Sequence, residues 1–357
     1  MIEELKKIDN ELKRLQDKRD LLINADSREN DLALLSNVET AQTLYEARDW
    51  RGLENTYTMG LQLLKSKALE TMTAVEASRH HASIRPGFSF PKMMNMPSYL
   101  TMRRGVPIIV GAGSGVGKST WARNIAAHNA LHKIQTVIMT NEETKAEVLI
   151  GLFTIITKIR IGKSYTFSEV ENWLYCNRRD VNHFKQEAEI YYRFVEWVEK
   201  YVWIVECEYW PISKIIYGIE NSENHFGQYP DCVILDYIQR VEPEYGARSM
   251  TMREQNVQSS RMITNYAKTR KPVMLLVSQL NEAGKTSEST QFEKDATQKI
   301  IIHRDFDETA QTYSDEVEIM VKKNRKGQTG RARCYLDGAS GTMIPQPAWQ
   351  PAQSMIE

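Results

Sequence analysis

The run Val106-Pro-Ile-Ile-Val-Gly-Ala-Gly-Ser-Gly-Val-Gly-Lys-Ser-Thr120 restricts the fold more than any other part of the chain. An apolar stretch enters a glycine-rich turn and leaves it through Lys-Ser-Thr into a segment with helical periodicity, predicted to span 118–132. The turn reads Ala112, Gly113, Ser114, Gly115, Val116, Gly117, Lys118, Ser119, Thr120, with alanine where a first glycine is commoner. Glycines at 113, 115 and 117 let backbone N–H groups curl around a phosphate without Cβ clashes. A helix starting at Lys118 aims the positive end of its dipole at the same anion. Lys118 can then reach the β- and γ-phosphates of a nucleotide, and Ser119 can ligand Mg²⁺. Such a turn works only between a strand and a helix, so it commits this region to an α/β fold. GTP-specific loops are usually accompanied by an NKxD guanine reader; the chain has none, which favours ATP.

The rest of the chain fits that frame. Short apolar runs at 106–110, 135–140, 202–206, 232–235, 272–277, 299–302, 316–321 and 331–336 alternate with amphipathic stretches. Nearly continuous apolar strands between helices predict a mostly parallel sheet covered on both faces. The last two runs, joined by Lys-Asn-Arg-Lys-Gly-Gln-Thr-Gly, predict an antiparallel hairpin at the sheet edge. Residues 1–83 carry leucines at spacings of three and four between charges, the pattern of a small all-helical region with a possible coiled coil at its start. A linker punctuated by Pro86, Gly87, Pro91 and Pro97 is expected over 84–100, the nucleotide-binding domain over 101–345, and a loose tail over 346–357, its proline-rich sequence beginning at Ile344.

Composition removes several classes. There are 46 Lys+Arg and 46 Asp+Glu, so bulk charge cannot drive binding to nucleic acid and any such contact needs a local patch or channel. Four scattered cysteines form no C-x-x-C pair, and seven histidines show no ligand spacing. No apolar run reaches the length of a membrane span, and the charged N-terminus has no apolar signal region, so a cytoplasmic protein is expected.

Four further features stand at predicted strand ends, where ligands bind in such sheets. Asn141-Glu142-Glu143-Thr144 follows the strand at 135–140; a carboxylate there can take a proton from attacking water, or it can simply be the acidic start of a helix. The apolar run at 232–235 ends in Asp236, where an acid can hold Mg²⁺. The strand at 272–277 leads to Ser278-Gln279-Leu280-Asn281, in which Gln279 can sense a γ-phosphate or cap a strand. Basic residues at 322, 323, 325, 326, 331 and 333 make either a solvated hairpin tip or a cationic finger for a phosphate.

In this order these motifs resemble the RecA-fold motor domain of DnaB-like hexameric replicative helicases, over about residues 84–345. Quieter stretches add to the likeness, among them 160–173 and Glu293-Lys-Asp-Ala-Thr before the strand at 299–302. The resemblance implies an α/β RecA-like P-loop core that hydrolyses ATP with Mg²⁺ to unwind DNA. It makes Lys118 and Ser119 the phosphate and Mg²⁺ ligands, Asp236 the Mg²⁺-linked acid, and Gln279 the link from γ-phosphate to DNA loops. Glu142 would be the base, although the doubled Glu142-Glu143-Thr144 is also similar to circadian-clock-type RecA-fold ATPases and leaves Glu143 in contention. Lys323 and Arg325 would be donated to a neighbouring subunit's ATP, Arg325 as the arginine finger. A homo-hexamer would thread single-stranded DNA past loops following Gln239 (to about Arg253) and Asn281 (to about Gln291), with Arg248, Arg253 and Lys285 as contacts. Residues 1–83 do not resemble the helical N-terminal domain of bacterial replicative helicases, which fits a phage or mobile-element version and leaves primase or loader contact to that helical region. Two other classes share most of these motifs: a RecA-fold recombination or annealing ATPase that forms filaments, and a non-motor ATPase switch that binds a protein partner.

Overall fold

A computed structural model of the chain describes residues 87–94, 96–98, 100–178, 184–236, 250–280 and 290–345. All of these belong to the second of the chain's two units, Pro86–Glu357. The expected helical region at 1–83 and the tail at 346–357 lie outside the described residues.

The chain enters through β1 (Phe88–Ser89) and β2 (Thr101–Met102), an antiparallel pair. Part of the expected linker therefore packs: Phe90, Met94 and Leu100 are buried in the main core. Next come β3 (Val106–Ala112), α1 (Lys118–Leu131), β4 (Thr136–Thr140), α2 (Lys145–Ile161), α3 (Phe167–Arg178), α4 (Lys185–Val198), β5 (Val202–Glu206), α5 (Ile212–Phe226) and β6 (Cys232–Asp236). The order continues with α6 (Met252–Arg270), β7 (Val273–Gln279), α7 (Thr290–Asp295), β8 (Gln298–His303), β9 (Phe306–Asp307), β10 (Thr312–Tyr313), β11 (Glu316–Asn324), β12 (Gly330–Asp337) and β13 (Thr342–Pro345). Every strand read from the sequence is present. The additional strand β13 takes in Ile344 and Pro345, where the loose tail was expected to begin, and forms the sheet edge outside the predicted hairpin.

Nine strands form one sheet in the order β13-β12-β11-β8-β3-β7-β6-β4-β5. From β8 to β5 every pairing is parallel; from β8 through β11 and β12 to β13 every pairing is antiparallel. The parallel part has the continuous apolar character that burial on both faces requires. Alternation along β3 shows this: Ile108 and Val110 enter one core with α1 to α4, whereas Ile109 enters another with α5 to α7. Among the described residues the antiparallel part buries one face of β11 fully. Val317, Ile319 and Val321 point into the first core, and the alternate residues of β11 are not among its members.

Polar anchors fix α1, the helix that leaves the glycine-rich turn. Asn124 is fully buried. Its Nδ2 donates to Thr120 O and Gly341 O, both at 2.8 Å, and its Oδ1 accepts from Met343 N–H at 3.0 Å. One amide thus ties the helix to the turn before β13. Asn124→Ala is expected to lower stability by about 2–3 kcal/mol, because it orphans a buried carbonyl and a buried N–H together. A shift of that size in the urea unfolding midpoint, at unchanged m-value, is the check.

Candidate functional site

Parallel pairing brings the carboxyl ends of β3, β4, β6 and β7 to one edge of the sheet. Ala112 pairs with Gln279, and Thr140 pairs with Asp236. Leu280 N–H donates to Ala112 O at 2.9 Å, and Asn141 N–H donates to Asp236 O at 2.9 Å. Four motifs separated in sequence by up to 167 residues, from Ala112 to Gln279, therefore meet within a few strand spacings.

The turn at 112–120 has the form expected of a phosphate cradle. Gly115 (φ 71°) and Gly117 (φ 104°) both lie in the left-handed region, where a side chain is strained. Gly117 is the N-cap of α1, which opens its first-turn N–H groups toward the turn. Gly113 has no positive φ; a Cβ there would meet Val116 Cγ2 at 3.3 Å, so its contribution is space. Lys118 Nζ donates to Gly113 O at 3.4 Å and so folds back over the turn it belongs to.

Asp236 is 4% exposed. Burial pushes its carboxyl up to about 6. A hydrogen bond from Ser119 opposes the rise, the charges of Glu143 and Glu142 add to it, and Lys118 opposes it. Among the described residues its Oδ1 has no hydrogen-bond partner. A buried carboxylate oxygen without a partner, beside a serine hydroxyl and close to two further acids, is what a divalent cation would relieve. Ser119 and Asp236 offer only oxygen donors, the kind that Mg²⁺ would accept.

The two carboxylates at the end of β4 are not equivalent. Both precede Thr144, the N-cap of α2, whose capping box with Glu147 fixes where the helix begins. They are thus in a turn and not in the first helical turn. Glu142 is exposed. Glu143 is half-buried and ion-paired with Arg123 of α1. Its backbone is held by Thr140, whose Oγ1 accepts from Glu143 N–H at 3.0 Å and donates to Glu143 O at 3.1 Å.

Lys323 and Arg325 lie elsewhere. Because β11 runs antiparallel to β8, its end faces the start of β3. Asn324 pairs with Gln298, which pairs with Ile108, whereas Ile319 is level with Ile302 and Ala112. Four residues of strand and two interstrand steps put Arg325 on the order of 15 Å or more from the chain's own phosphate turn. There, Lys323 Nζ donates to Glu293 O at 2.6 Å, and Arg325 Nη2 donates to Lys294 O at 2.9 Å. Burial lowers the Lys323 ammonium below its usual range, and the neighbouring Arg325 charge adds to this.

Among the expected nucleic-acid contacts, Arg253 is exposed in the first turn of α6, which starts at Met252 after the Thr251–Glu254 capping box and so shortens the expected loop. Arg248 and Lys285 lie outside the described residues.

The sequence reading missed an aromatic wall beside the turn. Tyr313 OH donates to Ser114 O at 2.8 Å, and its ring lies 3.1 Å from where a Cβ on Gly115 would stand. Phe306 meets Tyr313 edge-on at 5.1 Å between centroids, and the Arg304 guanidinium sits 5.6 Å from the Tyr313 ring. These residues, with Gly113, Leu280 and Ile301, line a cavity of about 670 Å³ next to the phosphate cradle. No spacing rule links Tyr313 to Ser114; only the folded sheet brings them together.

A family model described as the DnaB-like helicase C terminal domain matches residues 99–341. Among solved structures, one of an isolated ATPase domain superposes with a TM-score of 0.59 at 17% identity, over 76% of this chain and 97% of that one. A DnaB-like replicative helicase, solved in a study of its interactions with primase, superposes with a TM-score of 0.63 at 16% identity, over 87% of this chain and 76% of that one. At such identities the structural likeness shows a shared fold. No curated protein matches the sequence.

The raised Asp236 carboxyl has a consequence for the metal-free, nucleotide-free protein. The folded state holds this proton more tightly than the unfolded state, so stability falls as pH rises from about 3.8 to about 6, by on the order of 3 kcal/mol. Asp236→Asn should therefore melt higher than the parent at pH 7.5, with the gap closing near pH 4. Thermal melts at both pH values in the presence of a chelator read this directly.

Proposed function

Because the chain belongs to the DnaB-like helicase C-terminal-domain family, matched over residues 99–341, we propose that it is an ATP-driven DNA helicase working as a ring with ATP between subunits. The observation that carries this reading is the distance between the phosphate cradle and Arg325. A chain that owns both halves of a hydrolytic site, at opposite ends of one sheet, is suited to complete the site from a second copy. A closed ring of identical head-to-tail contacts satisfies every such site.

In this reading the N–H groups of residues 113–119 and Lys118 hold the triphosphate, and the cavity walled by Tyr313, Phe306 and Arg304 takes the nucleobase. Ser119 and Asp236 would hold Mg²⁺, which would supply neutralisation of phosphate charge. A carboxylate of the Glu142–Glu143 turn accepts the proton of the attacking water. Lys323 and Arg325 leave the Glu293 and Lys294 carbonyls and turn to the γ-phosphate of the adjacent subunit, Arg325 as the finger. Gln279, level with Ala112, would relay the presence of γ-phosphate into the loop following Asn281. The loops following Gln239 (to about Arg253) and Asn281 (to about Gln291) are assigned to single-stranded DNA, with Arg248, Arg253 and Lys285 contacting it by charge. Six copies concentrate these few cations in one channel, which answers the zero net charge of the chain. Residues 1–83 are left for a primase, a loader or neighbouring copies.

Two variants decide the shared site. Lys118→Ala abolishes ATP hydrolysis. Arg325→Ala abolishes it while leaving binding of a fluorescent ATP analogue within about threefold, since the finger acts mainly on the transition state. Mixing the two inactive variants restores part of the activity, because some interfaces then combine an intact cradle with an intact finger. Failure of the mixture to recover any turnover, or an active Arg325→Ala, overturns the inter-subunit site. ATPase rate with and without single-stranded DNA, alongside native mass, tests the ring: a six-subunit species stimulated by DNA is expected. Filaments, or indifference to DNA, would favour the recombination and switch classes respectively.

A further inference from the structure

β8 runs parallel to β3, and its Ile302 pairs with Ala112, so the chain leaving β8 emerges beside the phosphate cradle. Residues 304–315 then form a strap before β11 begins. Its two short strands, β9 and β10, pair Tyr313 with Phe306 and Thr312 with Asp307. The turn between them is fixed by Asp307, whose Oδ1 accepts from Thr309 N–H at 2.8 Å and from Ala310 N–H at 3.0 Å. The base of the strap is closed twice. Ser314 N–H donates to Asp305 O at 2.7 Å. Arg304 Nε donates to Ser314 O at 2.7 Å, and its Nη2 donates to Tyr313 O at 3.3 Å. Local polar bonds therefore hold the Tyr313 backbone, and the side chain crosses to the cradle, where its OH donates to Ser114 O at 2.8 Å.

We propose that Tyr313 is a positioning residue that sets the direction of the Gly115 N–H and thereby the affinity of the cradle for phosphate. The proposal rests on nucleotide binding at the cradle, as argued under Proposed function, and gives the wall assigned there to the nucleobase a second role on the phosphate side. Gly115 has φ 71°. Glycine reaches that conformation without strain, but it also leaves it easily, because no Cβ confines it. The restraint has to come from outside the turn, and two parts of Tyr313 supply it. The ring stands 3.1 Å from the position a Gly115 Cβ would take, against the backbone of the turn. The phenol holds the Ser114 carbonyl. That carbonyl and the Gly115 N–H belong to one planar peptide unit, in which they point in opposite directions. A donor fixed on the carbonyl side therefore turns the N–H to the side away from Tyr313, which under the proposed function is the phosphate's side.

The same bond acts electronically. A carbonyl that accepts a hydrogen bond polarises its own peptide and makes the N–H a stronger donor. Tyrosine suits the task, because its hydroxyl stands at the end of a rigid ring. That ring is also flanked by Phe306, edge-on at 5.1 Å between centroids, and by the Arg304 guanidinium at 5.6 Å. A wall for a nucleobase needs only the flat ring. The bond from the hydroxyl to Ser114 is what extends Tyr313 to the phosphate side.

The test uses the full chain with Mg²⁺, in competition against a fluorescent ATP analogue whose own affinity is measured for each variant. Tyr313→Phe keeps the ring and removes only the hydroxyl. It is expected to weaken binding of ATP, CTP and inorganic tripolyphosphate by one common factor of about fivefold, the size of a single hydrogen bond. KM for ATP should rise by that factor and kcat fall by a smaller one, because the bond acts on how the phosphates are held. A strap that merely supports the fold would instead lower the active fraction, and with it kcat, while leaving the affinities alone. That pattern overturns the proposal. Weaker ATP and CTP with tripolyphosphate unchanged would make Tyr313 a base contact only, and overturns it as well. So does unchanged affinity for all three ligands. A parent chain that binds neither ATP nor tripolyphosphate would remove the nucleotide reading itself; a parent that binds both, beside a Tyr313→Phe chain that binds them equally well, removes only the role of Tyr313.

Discussion

A single buried carboxylate sets the terms for the rest of this domain. Asp236 ends the strand flanked by β4 and β7, and water cannot solvate it there. One hydroxyl, from Ser119, offsets part of the cost, and the two nearby acids increase it. A site like this is unfavourable in the empty protein and becomes favourable when a cation arrives with a triphosphate. The left-handed glycines of the cradle follow the same logic. Holding Gly115 and Gly117 there costs glycine's conformational freedom, and the first N–H groups of α1, which no helical partner takes up, are open to an anion. Cradle and carboxylate are thus two halves of one unmet electrostatic demand, held in register by the pairing of Ala112 with Gln279 and of Thr140 with Asp236.

The change from parallel to antiparallel pairing at β8 has as much consequence as the cradle. In a wholly parallel sheet all strand ends carrying chemistry would collect at one edge. Reversing β11 sends Lys323 and Arg325 to the other edge, where they rest on the carbonyls of Glu293 and Lys294 at the end of α7. Those carbonyls lie at the negative pole of the helix, a reasonable resting place for two cations. Under the proposed function the arrangement leaves an isolated chain latent and makes hydrolysis depend on a neighbour. Dependence on assembly then comes from strand direction.

Much of this was legible in the sequence, and the reasons are physical. Buried parallel strands are short apolar runs, so all eight predicted strands appear near their expected limits. The cradle was legible because glycine, lysine and serine at that spacing have few other uses. Asp236 and Gln279 were legible because a polar residue closing an apolar run marks a strand end. Harder to read were short, edge and cross-chain features. β13 is four residues long and has little pattern of its own; it is held by β12 and by the Asn124 amide. Tyr313 reaches Ser114 across 199 positions of sequence. The pairing of Glu143 with Arg123 was hidden as well, because two adjacent identical residues look alike until the fold shows what each one meets.

The pairing of Glu143 with Arg123 is a matter of helix geometry. Arg123 is three residues from Thr120, so both project from the same face of α1, and that face meets the end of β4. On the face that carries Trp121 and Ile125, a polar residue would point into the apolar core instead. The helix that opens its N–H groups toward the glycine-rich turn therefore continues, one turn later, by holding Glu143 of the neighbouring turn. Cradle and acidic turn are coupled by rigid-body geometry: a shift of α1 sufficient to open the cradle would also strain the Arg123–Glu143 link. A small movement of one helix would then affect both places together.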